Sequence, residues 1–204
     1  WRQLSNQMMT NIINFAVIGT VESPYKEKFA IPRQPGLVDC AKGKIIFTSD
    51  HNQADMVKGL ENFSHLWLLF NFHATKEQGW KPLVRPPRLG GNEKVGVLAT
   101  RSNFRPNAIG MSVVKLDGIS YQNKQLSLHI SSIDLLDGTP IIDIKPYIPY
   151  SDAITDAKAS FANTAPNELL TVEFSQSARV QLSSFAHYDQ NLEQFISQVL
   201  AQDP

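Results

Sequence analysis

SHLWLLFNFH, residues 64–73, is the strongest candidate for a β-strand in the chain. It carries aromatic and large aliphatic side chains at successive positions, which indicates a strand covered on both faces. Turn residues separate further apolar segments that we also predict as strands, namely residues 14–23, 43–49, 94–100, 110–116, 126–134 and 140–147. Strands at this spacing favour a closed or nearly closed barrel over βαβ units. We therefore predict a mainly β protein with a single β-barrel core, flanking helices and a helical C-terminal segment.

The segments around these strands differ in character. Residues 54–63 have the spacing of a short helix, whereas residues 81–91 contain three prolines and a Gly-Gly pair and should form no regular element. A further strand is expected over residues 169–175, followed by helices over 177–204. The predicted organisation is an extension over residues 1–13, expected to be disordered or foreign to the natural chain, a barrel domain over 14–152, and a segment over 153–204 leading towards a small C-terminal domain.

The charge of the chain is balanced overall but uneven along its length. The formal net charge is zero, with 19 basic and 19 acidic residues, so the total gives no long-range attraction to nucleic acid. Between residues 81 and 105, however, a single acid, Glu93, faces six basic residues: Lys81, Arg85, Arg88, Lys94, Arg101 and Arg105. A local basic surface of this kind can still bind phosphates by releasing counterions.

Several classes of protein are disfavoured by what the sequence lacks. Cys40 is the single cysteine, which excludes an internal disulfide and a multi-cysteine metal site. His65 and His73 would lie roughly 26 Å apart along one strand, at about 3.3 Å per residue, so they cannot share a metal. No apolar run reaches the roughly 18 residues that span a bilayer. We therefore expect a cytoplasmic protein with no membrane segment and no metal.

Polar loops at the strand ends are the candidate site. ATRSNFRPNAIG, residues 99–110, places Arg101 and Arg105 between two apolar runs, and further arginines lie in RQPG (33–36) and RPPRLGG (85–91). A single arginine is most often a solvated surface charge. Three such loops, all at strand ends, favour a site for an anionic or zwitterionic ligand, because the guanidinium fork suits carboxylate or phosphate.

DLLDG, residues 134–138, adds two carboxylates at a strand-to-turn junction. Asp134 and Asp137 could simply cap turn amides. Alternatively, they could bind ribose hydroxyls or an amino group, or abstract a proton. The chain has no GxGxxG between a strand and a helix and no GK[ST], so a Rossmann-type cofactor site is not expected.

Taken together and in this order, five motifs resemble the TsaA-like family, and within it the bacterial TrmO branch of S-adenosylmethionine-dependent tRNA methyltransferases. They are SPYKEKFAIPRQPGLV, GLENFSHLWLLFNFH, VRPPRLGG, GVLATRSNFRPNAIGMS and DLLDGTPIIDIKPYIPYSD, and the resemblance spans residues 14–152. It implies a single β-barrel, a homodimer, S-adenosyl-L-methionine as cofactor, and N6-methylation of N6-threonylcarbamoyladenosine next to the anticodon of tRNA.

The resemblance also implies roles for individual residues. The cofactor contacts would be Arg33, Gln34, Pro35, His73, Ala74, Arg101, Met111, Asp134, Leu135, Asp137, Gly138 and Thr139. The substrate contacts would be Arg85, Arg88, Arg105 and Asn107. Asp137 and His73 are both candidate bases, and the sequence does not choose between them. Two alternatives stay open: a non-catalytic module that binds S-adenosylmethionine or RNA, and a hydrolase that uses Asp134 and Asp137.

Overall fold

The structure, a computed structural model, describes residues 12–164, 170–185 and 191–203. The predicted extension over residues 1–13 therefore lies almost entirely outside the described residues. The strands are β1 (Gly19–Glu22), β2 (Lys42–Phe47), β3 (His65–Asn71), β4 (Leu83–Val84), β5 (Val95–Gly96), β6 (Ile109–Gln122), β7 (Gln125–Ser131) and β8 (Pro140–Pro146). The helices are α1 (Pro149–Asp152), α2 (Gln176–Ser183) and α3 (Leu192–Ala201).

Six of the strands close into an antiparallel barrel, which confirms the predicted fold class. Their order around the barrel is β1-β2-β7-β6-β3-β8, and β8 pairs back to β1. The segment SHLWLLFNFH contains β3, which is hydrogen-bonded along its length to β6 on one side and β8 on the other. The inner face of β3 is buried in the barrel, whereas Trp67 and Leu69 on its outer face are only half-buried, so the predicted covering of both faces is incomplete.

The interior is filled by alternate side chains of the barrel strands. On β3, Leu66 and Leu68 are fully buried and Phe70 is 4% exposed, whereas Trp67 points outward and donates its indole N–H to Asp152 at 2.9 Å. The same alternation places Val114 of β6 inside. Burial of such aliphatic and aromatic side chains contributes about 1.5–3 kcal/mol each and is the main stabilising term of the fold.

Antiparallel order brings three polar connections between barrel strands to the same rim. The C-terminal ends of β1, β3 and β7 and the N-terminal ends of β2, β6 and β8 all lie at this rim. The connections that cross it are residues 23–41, 72–108 and 132–139, which carry the arginine loops and DLLDG. We call this end of the barrel the loop rim.

Gly110 at the start of β6 permits a close aromatic contact beneath the loop rim. The rings of Phe70 and Phe72 meet edge to face with their centroids 5.2 Å apart. A Cβ atom added to Gly110 would lie 2.3 Å from Cε2 of Phe70 and 2.9 Å from Cζ of Phe72. The position therefore has no room for a side chain.

The predicted helix over residues 54–63 is wrong. The structure has two 3₁₀ turns there, Ala54–Val57 and Leu60–Asn62. Gly59 lies between them with a φ of 88°, a left-handed conformation that ends a right-handed helix. The apolar residues have the spacing of a helix, but Gly59 divides the segment into two separate turns.

Two other expectations for the connections are also wrong. Residues 81–91 do contain a regular element, since β4 pairs with β5 in a separate two-stranded sheet. The strand predicted over residues 94–100 shrinks to β5 and a 3₁₀ turn, and it lies outside the barrel. No strand occurs in the described part of 169–175, which is residues 170–175.

The helical C-terminal segment is confirmed, and its last helix packs on the barrel. Val199 of α3 is 7% exposed and belongs to the main hydrophobic core, and Phe195 packs against the same core. Asn191 caps the N-terminus of α3 by accepting the backbone N–H of Gln194 at 3.2 Å. Among the described residues, no helix is both long and apolar enough to span a bilayer.

Substitution of Gly110 by alanine tests the packing beneath the loop rim. We expect Gly110→Ala to lower the free energy of unfolding by about 1–3 kcal/mol, the usual cost of overpacking a filled core. Urea denaturation measures the change. Gly118→Ala on the same strand is the matched control, since a Cβ there meets no atom within 4 Å. Equal stability of the two variants would contradict the packing described.

Candidate functional site

The three connections of the loop rim enclose a cavity of about 230 Å³. Its walls combine apolar side chains with a few polar groups from all three connections: Lys28, Ile31, Phe70, Asn71, Phe72, His73, Ala74, Thr75, Asn103, Asp134, Leu135, Leu136 and Thr139. A mostly apolar pocket with a small number of convergent polar groups is the usual form of a small-molecule site.

Asp134 is the carboxylate that belongs to this cavity. Its Oδ1 is buried and has no hydrogen-bond partner. Burial raises the pKa of Asp134 from its ordinary value of 3.8 to about 6, against smaller lowering effects from the Ser112 hydroxyl and the Arg101 guanidinium. A buried acceptor without a partner is costly to the folded protein and indicates a missing donor.

Asp137, three residues later, has a different environment. Its Oδ1 accepts the backbone N–H of Ser23 at 2.8 Å, and its Oδ2 lies 2.8 Å from the ammonium of Lys26. Partial burial raises the pKa of Asp137, but Lys26 and the Ser23 N–H outweigh it, and the net pKa lies below its ordinary value. The carboxylate thus ties the 132–139 connection to the 23–41 connection.

The other predicted cofactor residues surround the cavity without all lining it. His73, Ala74, Leu135 and Thr139 line it directly. Gln34 accepts a hydrogen bond from Nη1 of Arg101 at 2.7 Å, which joins two of the connections. The remaining members of the set are placed on the loops and strand around the cavity: Arg33 exposed, Pro35 half-buried, Gly138 in the turn with a φ of 77°, and Met111 52% exposed on the outer side of β6.

The four predicted substrate residues fall into two groups. Arg85 and Asn107 have exposed side chains. Arg88 donates to the carbonyl oxygen of Thr164, which fastens its loop to the segment after the barrel. Arg105 is half-buried and donates to the carbonyl oxygen of Thr100 at 2.7 Å, so it braces its own loop.

Two further observations define the site. Within the described ranges, no three His, Cys, Asp or Glu side chains come close enough to share a metal ion. A second cavity, of about 350 Å³, lies between α2 and α3, far from the arginine loops in sequence. Among the described residues that line it, the charged ones are Arg179 and Glu193, and these are ion-paired with each other.

Comparison with known proteins places this arrangement in a family. The sequence profile of the tRNA-methyltransferase O N-terminal domain matches residues 20–153, and this match contains all three connections of the loop rim. The chain belongs to the tRNA-methyltransferase O family.

Individual members of the tRNA-methyltransferase O family support this assignment along most of the chain. A protein of Escherichia coli K12 named tRNA (adenine(37)-N6)-methyltransferase is 53% identical over 190 residues, which are 93% of this chain and 81% of that protein. A protein of Pseudomonas aeruginosa PAO1 is 48% identical over 92% of this chain and 79% of its own length. It is named "Putative S-adenosylmethionine-dependent methyltransferase RcsF".

The fold agrees with a solved member of the same family. The crystal structure of TrmO from Pseudomonas aeruginosa superposes with a TM-score of 0.81 at 41% identity. The superposition covers 95% of this chain and 83% of that one.

Sequence reasoning missed several residues that build the site. Lys28 lines the cavity and donates to the carbonyl oxygen of Ala74 at 2.9 Å, so it joins two connections. Lys26 and Ser23 hold Asp137. Ser112 is 3% exposed on the inner face of β6, and a hydrogen bond from its hydroxyl lowers the pKa of Asp134. Only the lysines stood out as charges in the sequence, and nothing local in the sequence pointed to their partners.

The two carboxylates predict opposite dependences of stability on pH. Asp134 has a raised pKa, so between about pH 4 and 6 the folded protein binds more protons than the unfolded chain and loses stability as pH rises. Replacing Asp134 with Asn removes this loss. We therefore expect the stability of Asp134→Asn, relative to the original protein, to increase from pH 4 to 7 by up to about 3 kcal/mol.

Asp137→Asn is the matched control and should behave in the opposite way. Its pKa is lowered, so its contribution to stability is present above its ordinary pKa and is lost as pH falls. The relative stability of Asp137→Asn should therefore decrease as pH rises to about 4 and stay nearly level from pH 4 to 7. Urea denaturation at each pH measures both variants, and a parallel response of the two would contradict the assignment.

Proposed function

We propose that this chain is an S-adenosylmethionine-dependent methyltransferase that methylates N6 of adenine 37 in tRNA, in the cytoplasm. The observation that carries the proposal is the 53% identity to a tRNA (adenine(37)-N6)-methyltransferase over 93% of the chain. The name of the Pseudomonas aeruginosa relative supports S-adenosylmethionine as the methyl donor. The methyl group resides on a sulfonium, so the acceptor nitrogen must be aligned with it and held there.

The donor and acceptor groups of the loop rim fit S-adenosylmethionine. The ligand carries an ammonium and ribose hydroxyls that donate hydrogen bonds, a carboxylate that accepts them, and an apolar adenine. Asp134 offers a buried acceptor without a partner, and Arg101 offers a fork for the carboxylate. Phe70 and Leu135 provide apolar surface in the same cavity. We propose that Arg33, Gln34 and His73 complete this set.

The acceptor is proposed to be adenine that already carries an N6-threonylcarbamoyl group. The carbonyl next to N6 makes the N–H more acidic, so a modest base suffices. Of the two candidate bases, we favour His73, which is exposed at the wall of the cavity. Both oxygens of Asp137 are occupied, by Ser23 and Lys26, and its pKa is lowered, which makes it a poorer proton acceptor.

The exposed cations around the cavity are proposed to bind the tRNA. Arg85 is free to reach phosphates or the threonyl carboxylate, and the Asn107 amide is exposed on the neighbouring connection. Arg88 and Arg105 hold loop carbonyls, and we propose that they shape this surface as well as adding charge. A homodimer is also part of the proposal, supported by the exposed Met111 beside Leu69 on the outer face of the barrel.

Methyl transfer to defined tRNAs tests the function directly. Radiolabelled S-adenosylmethionine is incubated with the protein and tRNA from a strain that lacks this gene, and in parallel with tRNA that also lacks the threonylcarbamoyl group. We expect label only in the first sample, and a strong loss of kcat in His73→Gln but not in Asp137→Asn. Label in both samples would contradict the proposed acceptor. Cofactor binding without any transfer would instead favour a non-catalytic binding module.

Arg101 is expected to anchor the cofactor. Replacing Arg101 with Ala should raise KM for S-adenosylmethionine roughly ten- to hundredfold, because hydrogen bonds to charged groups contribute about 1.5–3 kcal/mol. Steady-state kinetics at saturating tRNA gives the value. Arg179→Ala is the control: it removes the same charge at α2, where the arginine pairs with Glu193. An unchanged KM in Arg101→Ala would refute the anchoring role.

A further inference from the structure

Helix α3 contacts the end of the 23–41 connection through one side chain. The Gln198 Oε1 accepts hydrogen bonds from the Cys40 backbone N–H at 3.4 Å and from the Cys40 thiol at 3.1 Å. Its Nε2 donates to Oδ1 of Asp39 at 2.6 Å. Both polar ends of the Gln198 amide are therefore directed at the two residues that precede Ala41 and β2.

The same helix contacts the beginning of that connection. The ring of Phe195 lies 5.7 Å from the ring of Tyr25, which is 4% exposed. Tyr25 in turn accepts the backbone N–H of Asp137 at 2.8 Å through its carbonyl oxygen. Thus α3 contacts the 23–41 connection close to both of its ends, and one of these contacts is also joined to the DLLDG turn.

Between these two points the connection has little regular structure of its own. It includes Arg33 and Gln34, both exposed. It is joined to the 72–108 connection by the bonds of Lys28 to Ala74 and of Arg101 to Gln34, and to the 132–139 connection by the Lys26–Asp137 ion pair and by the Gly36 N–H, which donates to the Ser132 carbonyl. An irregular segment of this kind keeps its shape only where its ends are fixed, since each free residue gains conformational entropy. Val38 and Ala41 are also buried in the core. Loss of the α3 contacts should therefore loosen the segment rather than release it.

We infer that α3 positions the 23–41 connection for cofactor binding, with Gln198 and Phe195 as the positioning residues. The inference rests on the proposed function, because it assumes that Arg33 and Gln34 bind S-adenosylmethionine. It assigns to the segment beyond the barrel a role in the affinity for the cofactor. If α3 only covered the core, its loss would lower stability but leave the intrinsic affinity of the folded protein for the cofactor unchanged.

Two glutamines on one helix allow a matched experiment on the full chain. Gln198→Ala removes the contacts to Asp39 and Cys40, whereas Gln194→Ala changes an exposed side chain one helical turn earlier. Calorimetric titration with S-adenosylmethionine, well below the melting temperature, gives Kd for each. We expect Gln198→Ala to raise Kd by about three- to tenfold, the factor that corresponds to one ordinary hydrogen bond. In Gln198→Ala, KM for the cofactor should rise by the same factor as Kd, while kcat and KM for tRNA should stay unchanged. In Gln194→Ala, all of these values should stay unchanged.

A paired substitution separates positioning from simple destabilisation. Gln198→Glu places two carboxylates together and should also weaken binding. Adding Asp39→Asn supplies an amide donor for the new carboxylate and should restore Kd to within twofold. An unchanged Kd in both Gln198→Ala and Gln198→Glu would overturn the inference. So would a raised Kd in Gln198→Glu that the added Asp39→Asn substitution does not restore. Absence of binding in the unsubstituted protein would instead contradict the proposed function.

Discussion

The hydrogen bonds between β1 and β8 close the barrel, and they also build the candidate site. The two strands are paired over only two residues each, Gly19 with Ile141 and Thr20 with Pro140. The ladder continues beyond the strands, since Val21 donates to the carbonyl of Thr139 at 3.0 Å and accepts the N–H of Gly138 at 2.8 Å. The turn that carries both aspartates is thus held by the same backbone contacts that leave the barrel without free edges.

Closure explains why residues far apart in sequence act on one another. An antiparallel barrel places alternate connections at opposite ends, so three long loops must share the loop rim. Each loop is then fastened to a neighbour by side chains: Asp137 to Lys26, Arg101 to Gln34, and Lys28 to the backbone of Ala74. Beneath these loops, Phe70 and Phe72 fill the space above Gly110. Positioning of this kind is what methyl transfer requires of a protein.

The sequence predicted the parts of the fold that depend on local pattern. The strength of β3, the succession of strands and the helical spacing around α3 are all visible in apolar periodicity. The predicted helix over 54–63 does not form because Gly59 adopts a left-handed conformation. The spacing of apolar residues contains no information about the φ angle of this glycine. Residues 94–100 form only a two-residue strand outside the barrel because that strand pairs with β4, and this pairing is a tertiary contact that the local sequence does not indicate.

The candidate site was predictable in composition but not in the roles of its members. The arginine loops and DLLDG could be recognised as polar groups at strand ends. The division between Asp134, buried with an acceptor that has no partner, and Asp137, paired with Lys26, depends on contacts made across more than a hundred residues of chain. The hydrogen bonds of Gln198 to Asp39 and Cys40 join residues separated by 159 and 158 positions, so no local motif could indicate them.

We propose that S-adenosylmethionine binds at the loop rim and not between α2 and α3, where the larger of the two cavities lies. Hydrogen exchange measured by mass spectrometry with and without the cofactor distinguishes these sites peptide by peptide. If the cofactor binds at the loop rim, amide exchange should slow in peptides covering residues 24–41, 72–78 and 132–139, with no change in residues 176–183. Protection confined to α2 and α3, with none at the loop rim, would contradict it.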